Sequence, residues 1–421
     1  MIKKIISHPL FSGSFVMFVG GMATNVLSFT YHFVMGRLLS VGEYGILASI
    51  FSILYLIAIV PISSSFAIVK FISEAKDNKE RANIYVTIRQ FVWKLAISSS
   101  LLTVFISPLI AWFLHVKDIV NIIFVGPMLF FSLIILVEQA SMQGILRFRG
   151  VVIPNFVSAF LKLAFGVIFV LLGFSVSGAM GGMLLGLLIT YIVTVKLKGN
   201  TFSSKKIKAN FEIVRFLKYA LPVLIQALAF TAIFSVDIML ARHFLPEFEA
   251  GLFASLSMLG KIVYFAAQPI TATMFPIVVG NRSRGEKYRL IFIVSFIATA
   301  SISGIIVLFY KFFPEIAIGT LYGQKYLAAS RELVWMGMFI GVYTTCYILV
   351  NFLLSVNRTK IVLLPLLAVI AQVVGIWFFH GSILQIIQIS LTSVSVLLVF
   401  LILYLIFSQM QKRRVKVYGG K

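Results

Sequence analysis

Charge is scarce in this chain. Only 12% of its 421 residues are Asp, Glu, Lys or Arg, about half the share of a soluble globular domain. Crosslinks are excluded as well: Cys346 is the single cysteine, so no intramolecular disulfide can form and cysteine usage carries no message about redox compartment. The five histidines (His8, His32, His115, His243 and His380) lack metal-ligand spacing, and no metal or other cofactor is expected. A phosphate-binding Gly-Lys-Ser/Thr loop is missing, which argues against transport driven by ATP on this chain. Long polar stretches are missing too, so no soluble domain is expected. What fills the chain is apolar. Hydrophobic residues make up 60% and the mean hydropathy is +1.05.

The apolar runs have the length of a bilayer crossing, about 20 residues for a core of about 30 Å. Leu10 to Gly36 and Tyr44 to Val69 contain no Asp, Glu, Lys or Arg. Leu163 to Val195 is equally bare, divided by the turn-like Gly173-Phe-Ser-Val-Ser-Gly178. The runs are continuous rather than alternating, which excludes membrane strands. Twelve helical spans are expected near 12–36, 44–70, 90–114, 119–143, 152–173, 176–196, 216–242, 249–278, 288–313, 332–356, 360–380 and 383–408. The first run is too long for a cleaved signal and ends without a small-x-small site, so it is read as a retained span. The fold class is all-α, a polytopic membrane protein. Its expected parts are a six-helix lobe over 1–197, a basic linker over 198–215, a second six-helix lobe over 216–409 and a basic tail over 410–421. Ile207, Phe211 and Val214 recur at helical spacing among the lysines of the linker. This fits either an amphipathic helix on the inner leaflet or a solvated connection.

The formal net charge of +23 suggests a nucleic-acid partner at first sight. With the N-terminus placed in the cytoplasm, 28 of the 36 basic residues and five of the 13 acids fall on the inner side. The outer side and the spans each sum to zero. The whole excess thus lies on one face, as the positive-inside rule requires, and no nucleic-acid partner is expected. An even number of spans leaves both termini in the cytoplasm of a plasma-membrane protein.

The chain also repeats itself at an offset near 205. Gly36-Arg-Leu-Leu-Ser-Val-Gly-Glu-Tyr-Gly-Ile-Leu-Ala-Ser49 corresponds to Ala241-Arg-His-Phe-Leu-Pro-Glu-Phe-Glu-Ala-Gly-Leu-Phe-Ala-Ser255. Arg37 matches Arg242, Gly45 matches Gly251, and Ala48-Ser49 matches Ala254-Ser255. Phe66-Ala-Ile-Val69 matches Phe275-Pro-Ile-Val278. Six spans per half preserve orientation, which makes this a parallel repeat of the kind found in secondary transporters.

The same residues carry a family resemblance. Gly36-Arg-Leu-Leu-Ser-Val-Gly-Glu-Tyr-Gly45 resembles the first outer hairpin of the polysaccharide-biosynthesis flippases. These are lipid-linked oligosaccharide transporters of the superfamily that includes the MATE exporters. Gln143-Gly-Ile-Leu-Arg-Phe148 is similar to the family's end of span four, and Arg215-Phe-Leu-Lys-Tyr-Ala-Leu-Pro222 to its start of span seven. Val236-Asp-Ile-Met-Leu-Ala-Arg242, followed by Gly251, Ala254 and Leu259-Gly-Lys-Ile262, resembles its second hairpin. One departure is Ala241 before Arg242, where the family more often has glycine. The resemblance implies a twelve-helix, V-shaped transporter alternating between inward-open and outward-open states, and a monomer is expected. Its substrate would be a polyprenyl-pyrophosphate-linked sugar, carried to the outer leaflet for surface polysaccharide assembly.

Ionisable groups inside spans cost at least about 2.5 kcal/mol to insert, so they mark candidate sites. Lys162 shares a helical face with Asn155 and Ser158, at i, i+3 and i+7. It could hold a phosphate by charge-assisted hydrogen bonds or pair with Glu138 of span four. Lys261, with Ser257, Tyr264 and Gln268 around it, is expected to face a cavity. His32 and Asp237 correspond under the repeat, and Asn25, Ser28 and His32 form a stripe. A His–Asp pair could take up H+ or Na+, with Glu138 as a further coupling candidate; the alternative pairs Asp237 with Arg242. Arg37 and Arg242 either guide a phosphate to the exit or anchor the outer helix ends, where the dipole favours a cation. Thr344, Tyr347, Asn351 and Ser355 make a polar stripe on span ten, for sugars or for helix–helix hydrogen bonds. Pro61, Pro269 and Pro276 are expected to kink spans two and eight.

Three other function classes compete. A MATE-like cation-coupled exporter of small molecules would want cavity acids without balancing lysines. A membrane polymerase or ligase of sugar chains would want a larger outer segment than 314–331. A non-transporting scaffold would have no use for charges inside its spans. An enzyme is not expected.

Overall fold

The computed structural model describes residues 9–202, 211–284, 286–356 and 358–418, and every regular element among them is helical. Helix α1 covers Pro9–Leu38. After a short break, α2 (Val41–Ile57) and α3 (Ile59–Glu74) form one long run interrupted at Ala58. Pro61 explains the interruption, because it cannot donate to the carbonyl four residues back and its ring crowds that turn. Helix α4 (Asn78–Phe113) returns, and a short turn at Val120–Ile123 leads into α5 (Val125–Gly144). Helices α6 (Arg149–Phe169) and α7 (Ser175–Lys198) form a tight pair. The chain reverses between them at Gly173, whose φ of 91° suits glycine and few other residues. The pair packs closely because Gly182 has no side chain: a Cβ there would stand 2.5 Å from the Gly166 nitrogen.

The second part of the chain has α8 (Ile213–Ile233), α9 (Val236–Phe244), α10 (Glu247–Ser283) and α11 (Arg289–Phe312). The expected outer segment folds into α12 (Pro314–Leu321) and a 3-10 helix at Gln324–Glu332. Helices α13 (Leu333–Ser355), α14 (Leu363–Phe378) and α15 (Ile383–Tyr418) complete it.

Eight helical runs among the described residues are long and apolar enough to cross a membrane as they stand. The twelve expected spans are recovered from these by following the turns. The 50-residue run Arg149–Lys198 is two spans joined at Gly173. Segments Leu224–Ile233 and Val236–Phe244 make one span bent by 41°. Helix α14 is a short apolar span, and α1, 30 residues long with no Asp, Glu, Lys or Arg between Leu10 and Gly36, is taken as the first.

The outer surface has the character of a lipid-facing one. On α4, Leu101, Phe105, Leu109 and Trp112 are all at least 63% exposed and recur at helical spacing. Leu290, Val294, Ile297 and Ile305, each at least 57% exposed, form a similar stripe on α11. Stripes of this length would aggregate in water and need hydrocarbon around them. Many hydroxyls inside the spans are satisfied within their own helices: Thr190 donates to the Gly186 carbonyl and Thr194 to that of Thr190, each at 2.7 Å.

Contacts divide the chain into two compact units, Met1–Leu228 and Ala229–Lys421. The division falls inside α8 and not in the basic linker at 198–215. The cause is Phe216 and Ala220 of α8, which are buried in the first unit's core with Phe71, Tyr85 and Leu133. Of the linker residues at helical spacing, Ile207 lies outside the described residues, while Phe211 packs edge-on against Phe71 at 5.1 Å. Residues 419–421 of the basic tail also lie outside them.

Candidate functional site

In the first unit, Lys162 rises from α6 toward two aromatic rings. Its Nζ stands 4.6 Å from the Tyr31 ring centroid and 5.5 Å from that of Phe51. Tyr31 and Phe51 are buried, and the Tyr31 hydroxyl donates to the Ala179 carbonyl of α7 at 3.4 Å. His32 packs edge-on against the same Phe51, 4.7 Å away. The fold therefore gathers Lys162 and His32 around one pair of rings, a grouping with no signal in sequence spacing. An ammonium over aromatic faces is attracted by the ring quadrupole, by about 2 kcal/mol when desolvated, and keeps its hydrogens for a ligand.

The expected alternative for Lys162, an ion pair with Glu138, is not formed. Glu138 is 1% exposed and has other partners. Arg89 Nε reaches its Oε1 at 3.1 Å, Lys198 Nζ its Oε2 at 3.0 Å, and the Tyr85 hydroxyl donates to it at 2.8 Å. Depth along the helices explains the choice. Glu138 lies about 9 Å from the end of α5 at Gly144, and Lys162 lies about 20 Å from the start of α6 at Arg149. The two are at different levels, and Glu138 is level with the basic ends of α4 and α7. Among the described residues, Lys162 makes no salt bridge.

In the second unit, Lys261 of α10 is buried with its Nζ 5.0 Å from the Phe234 ring centroid. Its charge and that of the fully buried Asp237 act on each other. Phe234 belongs to a cluster with Tyr264 and Tyr343, their ring centroids 5.5–6.0 Å apart. All of this surrounds the bend between α8 and α9. The break at Phe234-Ser235 has no proline or glycine to cause it. Gln372 of α14, an amide in an otherwise apolar span, donates to the released Ile233 carbonyl at 2.9 Å and to Ser390 Oγ at 2.9 Å. A broken helix survives in a bilayer only with such substitutes. Asp237 Oδ2, Ser235 Oγ and Gln372 Oε1 are buried there without hydrogen-bond donors.

The other expected site residues are placed as follows. Arg242 is buried and reaches Glu247 Oε1 at 3.9 Å across the outer turn. Arg37 is exposed at the end of α1, and Asn25 is exposed on the same helix. Asn155 is exposed on α6 and accepts from Gln139 Nε2 at 2.9 Å. Gln268 is half-buried on α10. Asn351 donates to the Tyr347 carbonyl at 2.8 Å and Thr344 to that of Ile340 at 2.6 Å. The polar stripe of span ten is thus bonded largely within its own helix. His32 and Asp237 lie in different units. Gln372, Phe234 and Tyr31 were not singled out by sequence; the lone amide of Gln372 was the one available signal.

The turns that carry the repeated motif are built differently in the two units. Ser40 and Glu43 form a reciprocal cap at the start of α2: Ser40 N donates to Glu43 Oε2 at 2.8 Å and Glu43 N to Ser40 Oγ at 3.3 Å. Glu43 also accepts from Ser175 Oγ at the start of α7. In the second unit Pro246 and Glu247 open α10 instead.

Comparison with known proteins agrees with this architecture. No curated protein matches the chain. Among solved structures, an inward-facing multidrug resistance MATE family transporter of the MOP superfamily is similar, with a TM-score of 0.77 at 14% identity over 94% of this chain and 96% of that one. An inward-closed lipid II flippase, MurJ, gives 0.75 at 13% over 93% and 87%. An outward-facing MATE family transporter gives 0.68 at 17% over 97% of each. At these identities the likeness concerns the fold. The family described as "Polysaccharide biosynthesis protein" matches residues 34–331, and with that match over most of its length the chain belongs to this family, with a MATE-like fold.

Proposed function

We propose that this protein is a flippase, a secondary transporter that moves a polyprenyl-pyrophosphate-linked oligosaccharide across the plasma membrane for surface polysaccharide assembly. The observation that carries the reading is Lys162. It is a cation well inside its helix, about 20 Å from the start at Arg149 and about 10 Å from the end at Phe169, resting on the Tyr31 and Phe51 rings and without a carboxylate partner among the described residues. Such a group in a bilayer needs an anion, and a pyrophosphate supplies one through charge-assisted hydrogen bonds. Lys261 is the second cationic contact. Asn25, Asn155, Gln268 and Asn351 serve the polar head group, and Arg37 and Arg242 the outer exit.

Alternating access is supported by the inward-facing and outward-facing states known for this fold. Coupling to H+ or Na+ is assigned to Asp237 and His32. For Asp237, the buried oxygens of Ser235 and Gln372 beside the broken span support the role. Glu138 is withdrawn from coupling, since Arg89, Lys198 and Tyr85 already occupy it. The charge distribution supports both termini in the cytoplasm, with the basic linker and tail on the same face; the lobes over 1–197 and 216–409 and a monomeric state belong to the same proposal. A MATE-like exporter of cations is less well supported, because Glu138 is ion-paired and Asp237 faces the charge of Lys261.

The test is complementation of a strain lacking the gene. Lys162→Ala should reach the membrane at the wild-type level, yield no surface polysaccharide and leave lipid-linked sugar in the inner leaflet. Normal export by this variant would overturn the proposal.

A further inference from the structure

A second polar feature of the first unit shares only Asn155 with these roles. Helices α3, α5 and α6 enclose a cavity of about 270 Å³, lined by Ser65, Phe66, Gln139, Gln143 and Asn155 among apolar neighbours. Gln139 and Gln143 are four residues apart on α5 and share a face. Gln139 Nε2 donates to Asn155 Oδ1 at 2.9 Å. That bond leaves the Gln139 carbonyl oxygen, its second N–H and both N–H groups of Asn155. The Gln143 amide and the Ser65 hydroxyl make no side-chain hydrogen bond among the described residues. Phe66, 58% exposed, offers a ring face beside them.

Unmet amides in hydrocarbon cost several kcal/mol each. Three on adjoining helices imply an opening to water and a ligand with many hydroxyls. No Asp, Glu, Lys or Arg lines the cavity, so its chemistry suits a neutral ligand and not a phosphate. Its volume is just below the roughly 300–1,000 Å³ of drug-sized ligand pockets, room for one ring and not for a chain. Lys162 lies seven residues beyond Asn155 on α6, on the same helical face and about 10 Å farther along.

We infer that Ser65, Gln139, Gln143 and Asn155, with Phe66 as a platform, form a sugar-ring subsite that reads the glycan beside a phosphate held at Lys162. The inference rests on the flippase reading, whose phosphate contact it extends. It gives a use to Gln143, the first residue of the Gln143–Phe148 motif.

Two probes test it on purified full-length protein in nanodiscs: the polyprenyl-linked sugars extracted from the membranes of the source cells, and undecaprenyl pyrophosphate carrying no sugar. Wild type should bind the glycolipid at least tenfold more tightly than the bare pyrophosphate. Gln143→Leu and Gln139→Leu should each remove most of that preference and keep binding of the bare pyrophosphate, which also reports that the variants are folded. Ser65→Ala, a smaller change, should reduce the preference about threefold. Equal binding of both probes by wild type would overturn the subsite and leave the flippase reading standing. So would a preference that survives in both leucine variants, or an equal loss of both probes in Ser65→Ala. Binding of neither probe by wild type would overturn the flippase reading itself, and the subsite with it.

Discussion

The two units solve the problem of a lysine inside a membrane in different ways. In the first, Lys162 rests on Tyr31 and Phe51, and the nearby acid of span four, Glu138, is occupied by Arg89 and Lys198. In the second, Lys261 rests on one ring, Phe234, and shares its field with buried Asp237. Aromatic faces soften the cost of a cation without neutralising it. The field of a carboxylate offsets it in part, and among the described residues Asp237 and Lys261 make no salt bridge with each other. The first lysine thus has aromatic faces alone beside it, whereas the second also lies in the field of a buried acid, and we propose that the charge of this second set changes when a proton or a cation joins it. This division of labour is a hypothesis about the transport cycle: one unit holds the anionic head group, and the other responds to the ion.

The largest expected effect tests the first half of that contrast. Lys162→Ala should lower the transport rate in proteoliposomes by roughly 100-fold, the scale of a lost charge-assisted contact of about 1.5–3 kcal/mol. Lys162→Arg should keep part of the rate, because the charge and the ring contacts are retained. A wild-type rate in Lys162→Ala would leave the two units without the proposed distinction.

The second half is tested by a double-mutant cycle. Lys261→Met strands the Asp237 charge and Asp237→Asn strands that of Lys261, and breaking a buried pair costs about 3–5 kcal/mol. The double variant should recover most of the thermal stability lost by either single one. It should also transport without any dependence on an imposed H+ or Na+ gradient. If the two stability losses simply add, the residues do not act as a pair.

The contrast was only partly visible in the sequence. Span number, the turn at Gly173 and the break near Pro61 follow from apolar length and from glycine and proline chemistry, so they could be read directly. The identity of buried residues at charged positions was also visible, because Lys162, Lys261, Glu138 and Asp237 stand out in apolar runs. Their partners were not. Glu138 could be assigned to Lys162 or to a helix-end cation only by knowing its depth relative to helices far away in the chain. The bend at Phe234-Ser235 carries no local signature, because its released carbonyl is met by Gln372 from a span more than 130 residues later. Spacing along one helix shows which residues share a face, but not which neighbouring helix that face meets.

A smaller effect follows from Glu138, and it separates holding the fold from handling the substrate. Glu138→Gln keeps the shape and a hydrogen-bond acceptor for Tyr85 and removes the charge that Arg89 and Lys198 satisfy. Arg89 is 39% exposed along its side chain and Lys198 12%, so both can turn partly to water, and the loss should be about 2 kcal/mol, below that of a fully buried pair. The loss appears as a lower melting temperature in detergent, with the transport rate per folded molecule unchanged. A variant of normal stability that has lost its response to the ion gradient would move Glu138 back among the coupling groups. The acid beside Lys261 would then no longer be the sole coupling carboxylate, and the two units would share the response to the ion instead of dividing it.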